Sequence, residues 1–183
     1  MYGLVNAAVR SLVLESAGDA AWAAVRDRAG APDEFAPLQA YDDGVTYALV
    51  GAAVEVLGLP ADQILRTFGR YWVERVATVH YRELMDRTGA DFVSFVRHLD
   101  ALHTRMRSSF PEYRPPSFRV IALEPGLLQV DYYSEREGLL PFVEGLFEGL
   151  GAHFGEEVEL EHVPDDSHPL PCKRMRLRHR PAA

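Results

Sequence analysis

Five residues in the second half of the chain have the types and spacing that could hold a metal-containing cofactor. They are His103, Pro116 and the run Tyr132-x-Ser134-x-Arg136. A neutral imidazole is a good iron ligand, while an arginine fork and two hydroxyls donate hydrogen bonds to carboxylates. A cofactor that combines an iron centre with two carboxylate arms is haem, so the combination predicts a haem site.

His103 lies near the middle of the apolar stripe of a helix that is predicted to start at Asp91. The stripe consists of Phe92, Phe95, Val96, Leu99, Leu102 and Met106. A core histidine with backbone partners fits this pattern as well as an iron ligand does. No residue beside His103 supplies a zinc-type ligand spacing, whereas a single histidine suffices for haem, because the porphyrin fills four positions of the iron.

The other two signals also have structural alternatives. Tyr132, Ser134 and Arg136 are spaced at i, i+2 and i+4, so on a strand they point to one face. That face is either a carboxylate clamp or the solvated side of an edge strand. Pro115 and Pro116 form either a stiff turn or a rigid surface that bends a flat cofactor.

The composition predicts one globular domain over residues 1–183, with 48% hydrophobic residues and a net charge of −8. The negative charge argues against a nucleic-acid partner. The only cysteine, Cys172, excludes an internal disulfide, which fits a cytoplasmic location. No apolar run approaches the roughly 18 residues of a membrane span, and the first residues do not resemble a signal peptide.

The pattern of apolar residues predicts helices in the first two thirds of the chain and mainly strands in the last third. Predicted helices cover Leu4–Leu14, Asp19–Ala29, Val45–Leu57, Ala61 to about Val76, Val79–Met85 and a segment starting at Asp91. The predicted order that follows is strand-strand-helix-strand-strand, over Phe118–Leu123, Leu127–Ser134, Leu139–Phe154, Glu157–Val163 and Lys173–His179. The expected class is therefore α+β, a helical N-terminal lobe followed by an antiparallel sheet.

Over essentially its whole length, the chain resembles the H-NOX family of haem–nitric oxide/oxygen-binding domains. This family includes the haem domain of soluble guanylate cyclase. The resemblance rests on the residues above and on further motifs. These are Met1-Tyr2-Gly3-Leu4-Val5-Asn6, Phe68-Gly69-x-Tyr71-Trp72-Val73, Phe110-Pro111, Pro115-Pro116-Ser117-Phe118 and Gly138-Leu139-x-Pro141. The resemblance is greatest to the stand-alone bacterial members of the family.

The resemblance implies that haem b lies between a distal lobe of about 1–65 and a proximal lobe of about 66–183. His103 matches the proximal iron ligand, and Pro116 matches the proline that distorts the porphyrin. Tyr132, Ser134 and Arg136 match the motif that binds the haem propionates. The positions that match the distal gas pocket are Val5, Val9, Trp72, Phe142 and Leu146.

Oxygen-binding members of the family hold O2 with a distal tyrosine, and the matching position here is expected to be Pro141. Proline has neither a hydroxyl nor a backbone N–H, although the Trp72 indole N–H remains a possible donor. The resemblance therefore implies a sensor that binds NO and CO and excludes O2. In the family, NO breaks the iron–histidine bond and frees the helix.

The family also implies a chain that is not itself an enzyme. It is expected to signal in trans to a histidine kinase or to a diguanylate cyclase or phosphodiesterase, because the sequence shows no output segment. A haem enzyme of the peroxidase or NO-detoxifying type would need a polar distal acid–base residue. A cofactor-free interaction module using the same apolar cleft is the third alternative.

Two further features have mainly structural interpretations. Cys172 near His162 and His168 could indicate zinc, but a single cysteine favours a free thiol. Basic residues alternate from Arg174 to Arg180, which favours the solvated side of a strand over a docking surface for an acidic partner.

Overall fold

A computed structural model describes residues 1–163 and 172–182, and it confirms the predicted α+β class. The helices are α1 (Gly3–Ala29), α2 (Asp43–Leu57), α3 (Ala61–Tyr71), α4 (Thr78–His80), α5 (Arg82–Thr88), α6 (Phe92–Ser109) and α7 (Leu140–His153), with a π-helix over Trp72–Ala77. The strands are β1 (Ser117–Glu124), β2 (Leu127–Tyr133), β3 (Glu156–Val163) and β4 (Cys172–Pro181).

Local capping chemistry explains where several helices begin and bend. Gly18 has a φ of 81° inside α1, so it divides this helix at the predicted break. The Asp42 side chain accepts from the Gly44 amide at the start of α2. At the start of α6, the Asp91 side chain accepts from the Ser94 amide, and the Ser94 hydroxyl accepts from the Asp91 amide. These two bonds form a capping box.

The region between α3 and α5 differs from the prediction. An α-helix to about Val76 was expected, but the chain changes to a π-helix at Trp72. A further helix was expected from Val79, whereas the chain breaks at Tyr81, where φ is −126°, and α5 begins afterwards. Periodicity does not distinguish a π-turn from an α-turn over so short a segment, and π-turns are frequent near functional sites.

The sheet is antiparallel throughout the described residues, in the order β1-β2-β4-β3. Asp131 on β2 is 2% exposed and lies opposite Arg174 on β4, whose Nε and Nη2 bind its two carboxylate oxygens at 2.7 and 3.0 Å. Arg180 pairs with Glu157 of β3 at 2.8 Å. Arg176 and Arg178 of β4 lie 3.9 and 3.7 Å from Glu161, which is also on β3. This cross-strand pairing favours the structural interpretation of the alternating arginines.

Two apolar cores fill the molecule. One contains buried residues of α1, α2 and α3, while the other packs α6, α7 and the sheet together. The cores meet where α3 crosses α7, and two glycines allow this close approach. A Cβ atom at Gly145 would clash with the backbone carbonyl of Arg66, and one at Gly69 would clash with that of Phe142.

A test of length and hydropathy finds no single helix among the described residues that could span a membrane. Only α2 and the helical segment 61–80 pass it together, as a pair bent by 115°.

The helix crossing gives a prediction for stability. Replacing Gly145 with Ala would push a methyl group into the Arg66 backbone, which cannot rotate away. We expect the free energy of unfolding to fall by about 1–3 kcal/mol in urea denaturation. Gly51→Ala is the control, because this glycine lies on α2 with open space around its Cβ position. That change should raise stability by about 0.5–1 kcal/mol. Equal stability of both variants would contradict the close-crossing account.

Candidate cofactor-binding site

A cavity of about 300 Å³ lies between the two cores. This volume is within the range of small-molecule pockets. Its walls come from the start of α1, the π-helix, α6, the segment 110–116, the ends of β1 and β2, and α7. Most lining residues are apolar, and the polar side chains include His103, Tyr113, Tyr132, Ser134 and Arg136.

His103 projects from α6 into this cavity, and its ring is fixed by a backbone contact. The Nδ1 atom lies 3.0 Å from the carbonyl oxygen of Pro116. A carbonyl can only accept, so Nδ1 carries the proton. Burial lowers the pKa of His103, although the hydrogen bond to Pro116 acts in the opposite direction. The ring is therefore neutral, and its Nε2 lone pair is available for a metal.

A second contact fixes the backbone that orients His103. Asp100, one turn earlier on α6, accepts from the Ser117 hydroxyl at 3.0 Å and from the Phe118 amide at 2.8 Å. These bonds tie α6 to the start of β1, directly after Pro116. No local sequence pattern indicates this role of Asp100, because its partners lie 17 and 18 residues away.

Tyr132, Ser134 and Arg136 all line the cavity, but not for the predicted reason. The prediction that they share one strand face is wrong for Ser134 and Arg136, because β2 ends at Tyr133. The Ser134 hydroxyl accepts from the Arg136 amide at 3.0 Å, which turns the chain after the strand. Tyr132 is 5% exposed, and burial raises its pKa, so its hydroxyl remains a donor.

The guanidinium of Arg136 is oriented by Asp43, a partner that no local sequence pattern indicates. Its Nε lies 2.7 Å from Asp43 Oδ2 in α2, and its Nη1 donates to the carbonyl of Arg114. Burial raises the pKa of Asp43, but hydrogen bonds from Arg136 and the Met1 amino group outweigh this effect and leave the pKa below its ordinary value. The ionised Asp43 thus links α2 to the Arg136 guanidinium.

The residues on the other side of the cavity are mainly apolar. Val5, Trp72, Phe142 and Leu146 line it, and their role in a gas pocket stays a prediction. Val9 was also expected to line the cavity, but it lies in the apolar core formed by α1, α2 and α3.

Pro141, which matches the distal tyrosine of oxygen-binding members, does not line the cavity, whereas the next residue, Phe142, does. Phe142 packs on Phe68 with ring centroids 5.1 Å apart. Phe142 has no hydroxyl either.

The donor set fits a haem. One face of the cavity offers a single neutral imidazole with a free lone pair, and its rim offers two hydroxyls and a guanidinium for carboxylates. A flat apolar group with one metal and two anionic arms would match this distribution.

Nothing among residues 1–163 and 172–182 forms a cluster of three or more histidine, cysteine or acidic side chains suited to a metal ion. The suggested zinc site included His168, which lies outside the described residues. His162 instead contacts Glu144 of α7 at 2.6 Å.

Comparison with known proteins adds independent findings. Residues 2–162 match the family model described as Haem-NO-binding. The chain is 27% identical to soluble guanylate cyclase gcy-31 of Caenorhabditis elegans over 97% of its own length and 26% of that protein. It is 33% identical to guanylate cyclase soluble subunit beta-2 of Rattus norvegicus over 51% of its length and 14% of that protein. The chain thus spans about a quarter or less of these curated relatives.

Solved structures share the fold at low sequence identity. A mutant H-NOX protein from S. oneidensis in the Fe(II) ligation state has a TM-score of 0.87 and 18% identity, covering 100% of this chain and 98% of that one. The H-NOX protein from S. oneidensis in the Fe(II)NO ligation state has a TM-score of 0.84 and 18% identity, covering 98% of this chain and 99% of that one.

Proposed function

Because this chain belongs to the H-NOX family, we propose that it is a haem-based sensor of nitric oxide. It would also bind CO, exclude O2 and signal in trans to a histidine kinase or a cyclic-di-GMP enzyme. The observation that carries the proposal is the 3.0 Å contact from His103 Nδ1 to the Pro116 carbonyl, which leaves Nε2 as a ligand in an apolar cavity.

The residues present have separate tasks in holding haem b. His103 Nε2 would hold the iron. Tyr132, Ser134 and Arg136 would donate hydrogen bonds to the propionates, and the Pro116 ring would pack against the porphyrin. When bound, the haem would supply a ferrous iron that can bind a diatomic gas.

Gas selectivity follows from the apolar side of the cavity. A bound O2 molecule carries partial negative charge and is held better by a hydrogen-bond donor. Val5, Phe142 and Leu146 offer none, and Trp72 offers only its indole N–H. NO and CO depend less on such a donor, so this lining favours them over O2.

The signal is a change in the constraints on α6. With His103 ligated, α6 is held at the cavity through Nε2 and at the segment 110–116 through Nδ1. If NO binding released His103 from the iron, the contacts of His103 and Asp100 with the segment 116–118 would remain. The helix can then shift against the sheet, which gives a partner protein two surfaces to distinguish.

Absorption spectra of the reduced protein test the selectivity. The wild type should respond to NO and CO, while its spectrum in air should remain that of the unliganded ferrous protein. Phe142→Tyr adds a hydroxyl to the apolar side and should produce an O2-dependent spectral change. Pro141→Tyr, which places the same group outside the cavity, is the control and should stay insensitive.

A stable response of the wild type to O2 would contradict the selectivity. An O2 response in Pro141→Tyr but not in Phe142→Tyr would show that the lining was assigned to the wrong residue. Turnover of peroxide by the purified protein would favour the haem-enzyme alternative.

Hydrogen exchange tests the proposed switch. Amides of α6 and of the segment 110–116 should exchange faster after NO is added, because His103 is released. CO would bind the same iron without releasing His103, so it is the matched control and should leave these rates unchanged. Identical exchange with NO and CO would contradict release of His103 as the signal.

A further inference from the structure

The cavity contains a phenol that the proposed function does not yet use. Tyr113 lies in the segment 110–116, where its amide donates to the Phe110 carbonyl at 3.0 Å and so closes a turn. This turn directs its side chain to the cavity that His103 and Arg136 also line. The Tyr113 ring meets the His103 ring edge-on, with centroids 6.1 Å apart and an interplanar angle of 77°.

The hydroxyl of Tyr113 has no hydrogen-bond partner within residues 1–163 and 172–182. The side chain is half-buried and lines the cavity, so the hydroxyl can bond a group held there. Burial raises the pKa of Tyr113 to about 12, so the group is protonated at neutral pH and can donate. Arg136 lines the same cavity, and its charge opposes this rise of the Tyr113 pKa.

The backbone also connects Tyr113 to the clamp. Arg136 Nη1 donates to the carbonyl of Arg114, the residue directly after Tyr113, at 2.5 Å. Two residues later, the Pro116 carbonyl accepts from His103. Tyr113 therefore sits on the one described segment that contacts both the imidazole and the guanidinium.

We propose that Tyr113 is a further cofactor-positioning residue. Its hydroxyl donates a hydrogen bond to a porphyrin carboxylate beside Arg136, while its ring edge packs against His103. The ligand group is an anionic carboxylate, the acceptor that a phenol next to a guanidinium fits. This inference rests on the proposed function, since it assigns a fourth donor to the same haem.

Comparing two proteins, each with two pigments, separates the effect of the Tyr113 hydroxyl from that of its ring. Tyr113→Phe retains the ring against His103 and removes only the donor. Wild type and variant are each loaded with haem or with haem dimethyl ester, whose arms carry no charge, and release is followed by transfer to apomyoglobin. For haem, the variant should release the cofactor about tenfold faster, as expected for a lost hydrogen bond to a charged group. For the dimethyl ester, the two proteins should release at similar rates.

Tyr71→Phe is the matched control. This phenol also has a pKa raised to about 12, but it bonds Glu15 at 2.7 Å and does not line the cavity. Its loss should leave both release rates unchanged.

Each other result overturns the inference. Unchanged haem release in Tyr113→Phe would show that the hydroxyl makes no contact with the haem. Faster release of both pigments by the same factor would mean that the hydroxyl acts through packing. A wild type that takes up neither pigment would overturn the proposed function together with this inference, whereas the first two results overturn this inference alone.

Discussion

The hydrogen bond between His103 Nδ1 and the Pro116 carbonyl is the contact on which the rest of the site depends. It fixes the ring tautomer and so decides which nitrogen faces the cavity. It also joins α6 to the segment 110–116, which Arg136 holds from the other side through the Arg114 carbonyl. The His103 imidazole and the Arg136 guanidinium are thus both held by one short piece of backbone.

The second constraint is the crossing of α3 and α7, where the two cores meet. Gly69 and Gly145 bring the helix backbones into contact, and charged side chains surround the crossing. Arg66 pairs with Glu148, and Arg70 lies 3.3 Å from the same carboxylate. Asp43 of α2 adds a separate link at the edge of the cavity, because it binds the Arg136 guanidinium. The cavity therefore lies between the helix crossing and a charged contact at the rim, and α6 forms a further wall that Asp100 and His103 join to the segment 116–118.

Sequence patterns predicted most of the fold because the signals were local. The apolar stripe of α6 and its start at Asp91, the Gly18 break and the antiparallel hairpin β1–β2 each depend on neighbours within a few residues. The site was predicted less completely. Asp43 and Asp100 find their partners across long sequence separations. Phe142 lines the cavity as predicted but its neighbour Pro141 does not, since a shift of one residue on a helix rotates a side chain by about 100°. Tyr113 lies in a proline-rich turn, where no periodicity indicates its direction.

A comparison of two histidine variants tests whether His103 is the protein ligand of the haem iron. His103→Gly should purify without haem and should regain a Soret band when imidazole is supplied to the cavity. His98→Gly, on the same helix with its own Nδ1 contact to the Thr88 carbonyl at 3.0 Å, should retain haem without imidazole. Haem retention in His103→Gly without added imidazole, with a spectrum equal to that of the wild type, would contradict the account.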